Sequence, residues 1–174
     1  MALRIPVSTS DHVQGNESAA IELVEYGDYQ CPYCGMAYPI VKNIQQQLGN
    51  KLKFIFRNFP LAKIHPQAVL AATAAEAAAL QDKFWEMHDM LFENQKRLNV
   101  SSIISYATEL GLNIDQFKND MNDPSLTEKI DIEFYSGMRS GVNATPTFFV
   151  NGEKYEGDWD NEKGFLQYLN DLIK

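Results

Sequence analysis

Two cysteines, Cys31 and Cys34, are the only cysteines of the 174-residue chain, and they lie three positions apart. Pro32 follows Cys31 where a β-rich run changes to a helical pattern, and proline is favoured at the first helical position. Cys31 therefore stands at the cap, where its sulfur faces free backbone N–H groups and the positive end of the helix dipole. We predict that Cys31 is an exposed nucleophilic thiolate with a lowered pKa. Cys34, one turn further in and more buried, is expected to resolve the mixed disulfide.

A cysteine pair with this spacing could also be half of a zinc site. Zinc needs four ligands, and His12, His65 and His88 are scattered without the spacing of metal ligands. We interpret the histidines as surface or packing residues, with His65 the one that could line the site. The pair therefore predicts redox chemistry with no metal and no cofactor, the redox couple being the Cys31–Cys34 disulfide itself.

Thr145-Pro146-Thr147 is the second candidate site segment, because a proline enters an apolar strand there. Proline cannot donate a ladder hydrogen bond, so its presence needs a reason. A cis peptide bond is one such reason, and it would turn the backbone of Thr145 toward the sulfurs. The alternative is an ordinary proline of an edge strand.

Glu25 is the third candidate, six residues before Cys31 in the strand-like run IELVEY. Carboxylates are rarely buried without a partner or a purpose. Beneath the cysteine pair, Glu25 could exchange a proton with Cys34, and desolvation would raise its pKa. A residue at the strand edge that faces water is an equally good interpretation of the sequence.

The remaining chain must supply the elements that position these residues. Turn residues and apolar periodicity predict a short strand with a turn up to residue 18, then a strand, a helix and a strand over 21–26, 32–48 and 52–57. The helix over 32–48 is indicated by the four-residue spacing of Met36, Ile40, Ile44 and Leu48. A block of five helices follows, opened by Pro66, and Asn151-Gly152 predicts a hairpin turn before a last helix over 162–173. This order predicts an α/β fold with one helical insertion.

Taken together, VEYGDYQCPYC, FRNFPL before a helical block, SGVNATPTFFVNG and the terminal helix resemble the DsbA-like disulfide oxidoreductases, from about Glu22 onward. The resemblance implies a thioredoxin fold formed by residues 1–64 and 140–174, with a helical subdomain over 65–139. It also implies a set of site residues. The implied catalytic residues are Cys31 as the nucleophile, Cys34 as the resolving thiol and Glu25 as the buried acid, and the implied substrate-aligning residues are Thr145 and cis-Pro146. We further predict that Pro32 and Tyr33, between the cysteines, contact the substrate.

The expected activity is reversible dithiol–disulfide exchange with protein or peptide thiols and with an unknown partner that recycles the pair. The DsbA-like proteins that this sequence resembles commonly carry histidine where this chain has Tyr33. Tyr33 supplies no positive charge and Asp28 opposes a thiolate, so the direction of electron flow stays open. The Pro-Tyr pair is that of glutaredoxins, which makes a glutathione-dependent reductase one alternative. A non-catalytic binding or chaperone module is another.

Composition narrows the choice of partners and location. With 15 Lys and Arg against 23 Asp and Glu, the net charge is −8, and such a surface repels the phosphates of nucleic acids. No stretch approaches the roughly 18 apolar residues of a membrane span. The N-terminus lacks the apolar run of a signal peptide, so the sequence as it stands predicts a cytoplasmic protein. The same N-terminus would be found in a periplasmic or extracytoplasmic protein whose leader had been removed.

Overall fold

The computed structural model describes residues 1–174 and contains one five-stranded sheet and seven α-helices. In chain order the elements are β1 (Val13–Gly15), β2 (Ile21–Gly27), α1 (Pro32–Leu48), β3 (Leu52–Asn58), α2 (Ala68–Ala79), α3 (Phe84–Glu93), α4 (Val100–Glu109), α5 (Ile114–Asp120), α6 (Pro124–Arg139), β4 (Thr147–Val150), β5 (Glu153–Lys154) and α7 (Glu162–Asp171). None of the helices combines the length and the apolar character that a membrane crossing needs.

The sheet has the order β1-β3-β2-β4-β5, so β2 occupies its centre. β2 runs parallel to β3 and antiparallel to β4. Every residue of β2 except Glu22 is buried, which explains why the run is apolar almost throughout rather than alternating. The predicted α/β fold is confirmed, and the central strand carries Glu25 and leads directly into the cysteine turn.

Helix α1 is confirmed, and only two of the four residues whose spacing indicated it, Ile44 and Leu48, lie on its buried face. The buried residues are Cys34, Ala37, Val41, Ile44 and Leu48. Met36 is 53% exposed. An α-helix has 3.6 residues per turn, so repeated steps of four drift away from the core, and the true face alternates steps of three and four. One consequence is that the face carrying Cys34 is continuous with the core.

The helical block between β3 and β4 consists of α2 to α6. The alanine run of α2 is buried on nearly all sides, since small side chains let neighbouring helices approach closely. The prediction that Pro66 opens this helix is wrong by two residues. The N–H groups of Ile64 and His65 both donate to the carbonyl of Leu61, so a turn occupies this stretch and the helix starts at Ala68.

Candidate active site

Cys31 and Cys34 lie at the start of α1, just after the turn that connects the central strand β2 to this helix. Cys31 is the N-cap residue and Pro32 occupies the first helical turn, as the sequence predicts. Both cysteines are free thiols. Cys34 is fully buried, and Cys31 is only 4% exposed, so the expectation of an exposed Cys31 is wrong. The reason is a long-range contact, because the Cys31 thiol donates a hydrogen bond to the carbonyl of Thr145 at 3.5 Å.

Several hydrogen bonds favour the thiolate of Cys31 and lower its pKa to about 5. The largest cause is the thiol of Cys34, which donates to the Cys31 sulfur, and desolvation by burial opposes it. The Thr145 side chain and the backbone N–H groups of Cys34 and Tyr33 lower the pKa further. The helix start therefore contributes as expected, but the neighbouring thiol contributes more.

The surroundings of Cys34 act in the opposite direction. Desolvation by burial is the largest cause that raises its pKa, followed by its hydrogen bond to Cys31 and the negative charges of Glu25 and Cys31. The N–H of Asp28, 3.4 Å from the Cys34 sulfur, lowers it. The pKa values of the two adjacent thiols therefore differ strongly, so that Cys31 is a thiolate while Cys34 keeps its proton and can donate it.

Glu25 lies in the central strand and is 2% exposed, so the alternative of a strand-edge residue facing water is wrong. Its Oε1 is buried without a hydrogen-bond partner. Desolvation by burial raises its pKa to about 8, and the negative charge of Cys31 adds to the rise. A carboxyl group in this state can hold or release a proton near neutral pH.

The Thr145–Pro146 peptide bond is cis, as the sequence predicts. Both residues are buried beside the cysteine turn, although Thr145 is 114 positions from Cys31 in the chain. Pro146 directly precedes β4, and that strand is paired on both sides, by β2 and by β5. The interpretation as an edge-strand proline is therefore wrong.

Pro32 and Tyr33 lie on the outer side of the cysteine turn. Both are exposed, and Tyr33 is 62% exposed. Neither side chain contributes to the core, so both are free to contact a molecule that approaches the sulfurs.

Two further residues, His65 and Gln95, contact the cysteine turn. His65 places its Nδ1 2.7 Å from Oδ2 of Asp28, so the histidine that could line the site does reach the cysteine turn. Gln95, from the segment between α3 and α4, donates from Nε2 to the carbonyl oxygens of Tyr29 and Cys31, both at 2.9 Å. His65 is thus the histidine that the sequence already marked as a candidate, whereas nothing in the local sequence marks Gln95.

A family model and two solved structures that resemble this chain all belong to thioredoxin-like proteins. The family described as thioredoxin matches residues 8–171. The thioredoxin-like oxidoreductase from Silicibacter pomeroyi DSS-3 superposes with a TM-score of 0.83 at 28% sequence identity, covering 95% of this chain and 93% of that one. Oxidised BdbD from Bacillus subtilis has the same fold, with a TM-score of 0.81 at 24% identity over 97% of this chain and 96% of its own.

Curated proteins similar to this chain are much longer than it is. The Na(+)/H(+) antiporter NhaA 1 of Salinispora arenicola is 40% identical over 161 residues, which make up 92% of this chain and 24% of the antiporter. The corresponding antiporter of Mycolicibacterium vanbaalenii is 41% identical over 152 residues, or 25% of its length. The chain thus spans about a quarter of the curated relatives that it matches.

Proposed function

The chain belongs to the thioredoxin family, and from that premise we propose that it is a DsbA-like thiol–disulfide oxidoreductase that exchanges disulfides with protein or peptide thiols. The observation that carries the proposal is the opposed acidity of two adjacent thiols. The pKa of Cys31 is lowered to about 5 while that of Cys34 is raised. A thiolate beside a thiol is the arrangement that disulfide exchange requires.

In the oxidising direction, a substrate thiolate attacks the Cys31 sulfur of the disulfide form. A bond forms between the substrate and Cys31, the Cys31–Cys34 bond breaks, and Cys34 leaves as a thiolate that takes a proton from Glu25. A second substrate thiolate then attacks the substrate sulfur of the mixed disulfide and releases Cys31 as a thiolate. The substrate ends as a disulfide and the enzyme as a dithiol, so two electrons have passed to the pair.

In the reducing direction, the same steps run backwards. The Cys31 thiolate attacks a substrate disulfide, Cys34 gives its proton to Glu25, and the Cys34 thiolate displaces the reduced substrate. The pair is itself the redox couple, so the proposed reaction involves no metal and no further cofactor. A partner of unknown identity returns the pair to its starting state.

Four residues around the sulfurs are assigned to substrate binding in this proposal. Thr145 and Pro146 flank Cys31 from the β4 side, with the Thr145 carbonyl 3.5 Å from its sulfur. Pro32 and Tyr33 are exposed on the other side of the turn. A peptide lying between these two segments would bring its own sulfur to Cys31.

The buried carboxyl of Glu25 favours an enzyme over a non-catalytic binding module. A buried carboxyl whose Oε1 has no hydrogen-bond partner costs stability, and a module that only binds would gain nothing from it. Ion transport, the activity named for the antiporter relatives, is not part of the proposal, because this chain matches only 24% of the Salinispora arenicola antiporter.

The test combines turnover with trapping. We expect the protein to catalyse the thiol-dependent reduction of insulin and to oxidise a reduced two-cysteine peptide when supplied as the disulfide. In the absence of added thiol, Cys34→Ser should accumulate a mixed disulfide between Cys31 and an insulin chain, because the Cys31 thiolate attacks an insulin disulfide and no Cys34 thiol remains to resolve the product. Cys31→Ser is the matched control and should trap nothing. Catalysis that survives in Cys31→Ser, or that requires glutathione as the only thiol substrate, would contradict the proposal.

A further inference from the structure

Asp28 contacts both cysteines through its own peptide groups. Its carbonyl accepts a hydrogen bond from the N–H of Cys31 at 3.0 Å. Its N–H donates to the sulfur of Cys34 at 3.4 Å. The position of one residue therefore helps to fix the start of α1 and the resolving sulfur together.

The carboxylate of Asp28 is fully buried, and it is held by three donors. Oδ1 accepts from the N–H of Gln30 at 2.8 Å, and Oδ2 accepts from the N–H of Leu61 at 2.9 Å. The ring of His65 is the third partner, with Nδ1 2.7 Å from Oδ2. His65 is 15% exposed and is the only side chain among the three, so it is the one donor of this carboxylate that a substitution can remove.

The loop between β3 and α2 is folded so that His65 reaches this carboxylate. The N–H of Phe59 donates to the carbonyl of Gly27 at 2.8 Å, which fixes the loop at the end of the sheet. The N–H of Gln67 donates to Oε1 of Gln30 at 2.7 Å, which fixes its other end to the cysteine turn. His65 lies between these two anchor points and points inward.

We propose that His65 is a positioning residue for the disulfide exchange: by binding the Asp28 carboxylate it holds the Asp28 peptide groups against both cysteines. This inference rests on the proposed function, since it concerns the equilibrium between the dithiol and disulfide forms of the same cysteine pair. His65 touches neither sulfur and acts only through Asp28.

Removing the ring leaves a buried carboxylate with only two backbone N–H donors. Uncompensated negative charge near a thiol disfavours its thiolate. A looser Asp28 also weakens the N–H donated to the Cys34 sulfur. Both effects destabilise the dithiol form, in which Cys31 is a thiolate, so the balance between dithiol and disulfide moves toward the disulfide.

The experiment equilibrates three variants and the wild-type chain in glutathione buffers and measures the fraction of disulfide, together with the Cys31 thiolate absorbance against pH. His65→Ala should shift the equilibrium constant roughly threefold or more toward the disulfide and raise the pKa of Cys31 in parallel. His65→Asn should recover most of that shift, because its side-chain amide can place an N–H near the position of Nδ1. His12→Ala is the matched control, since it removes the other histidine–carboxylate contact, 2.9 Å from Nε2 to Oε2 of Glu76.

An equilibrium constant of His65→Ala equal to that of His12→Ala would overturn the proposal. So would a folded His65→Asn variant that behaves like His65→Ala. If His65→Ala does not fold, His65→Gln takes its place, because its longer amide fills space without matching Nδ1, and a wild-type equilibrium in that variant is the contrary result. None of these readouts needs turnover, so a chain that fails to act on protein substrates would contradict the proposed function and leave this test intact.

Discussion

At the scale of single residues, the site depends on two sulfurs that differ in how easily they lose a proton. Cys31 has its thiolate stabilised by the Cys34 thiol, the Thr145 side chain and the first backbone N–H groups of α1. Cys34 is buried among negative charges and keeps its proton. Since neither sulfur is widely open to solvent, acidity rather than exposure distinguishes the attacking thiol from the resolving one.

This difference predicts the order in which the thiols react. When the dithiol protein meets less than one equivalent of iodoacetamide at pH 6.5, we expect modification at Cys31 and almost none at Cys34, because the thiolate is the reactive species. Peptide mapping by mass spectrometry gives the ratio. Denatured protein is the control and should be modified at both positions at similar rates. Faster modification of Cys34 in the folded protein would reverse the assignment of roles.

The raised pKa of Glu25 predicts a dependence of stability on pH. The pKa of Glu25 is about 8 in the folded state and 4.5 as the reference value for the unfolded chain. This difference contributes its full amount to the free energy of unfolding below pH 4.5. That contribution declines as the pH rises and is lost above about 8. Relative to Glu25→Gln, the dithiol wild-type chain should therefore lose stability between pH 5 and 8, by an amount of order a few kcal/mol.

Urea unfolding of both reduced proteins at several pH values provides the measurement. Cys31 has the opposite trend, because a lowered thiol pKa adds stability at high pH that is lost as the pH falls through about 5. The difference between wild type and Glu25→Gln removes this shared contribution. A difference that stays constant from pH 5 to 8 would show that Glu25 does not titrate in this range.

Glu25 should also affect the resolving step. Glu25→Gln removes the carboxyl that the proposal assigns to receive the Cys34 proton, so it should slow the decay of a mixed disulfide on Cys31 by tenfold or more near pH 7. Stopped-flow measurement of that decay checks the prediction. The alkylation rate of Cys31 serves as the internal control and should change far less. Equal slowing of both reactions would point to a general disturbance of the site.

At the scale of elements, the inserted helices contact the cysteine turn through Gln95. Its Nε2 holds the carbonyl oxygens of Tyr29 and Cys31, and Gly35 in the first turn of α1 leaves room for the amide. A Cβ added at Gly35 would clash with Oε1 of Gln95. The helical block therefore helps to position the start of α1 as well as covering the sheet.

This contact predicts that substitutions at Gly35 and Gln95 depend on one another. Gly35→Ala alone should destabilise the chain, because the Gln95 amide must move and release both carbonyls. In a Gln95→Ala background the same substitution should be neutral or stabilising by up to about 1 kcal/mol, since alanine is the better helix former. A double-mutant cycle by urea unfolding measures the coupling, and strictly additive effects would contradict the proposed contact.

At the scale of the whole molecule, local signals in the sequence predicted most of the architecture. The apolar run of β2, proline after Cys31, the proline before β4 and the Asn-Gly turn each depend on residues close together in the chain, and the structure confirms each of them. The contacts of His65 and Gln95 with the cysteine turn span 37 and 66 residues, and no local pattern encodes such distances. The burial of Cys31 has the same origin, because Thr145 arrives from the far end of the chain.

The reduction potential of the Cys31–Cys34 pair tests the central claim most directly. The wild-type chain is equilibrated in glutathione buffers of graded composition, and the dithiol and disulfide forms are quantified after acid quenching. We predict reversible conversion with a potential of roughly −150 to −230 mV, between a strong oxidase and thioredoxin, because Cys31 is a stabilised thiolate without a positive side chain between the cysteines. A pair that forms no intramolecular disulfide, or that does not exchange with glutathione, would contradict the account.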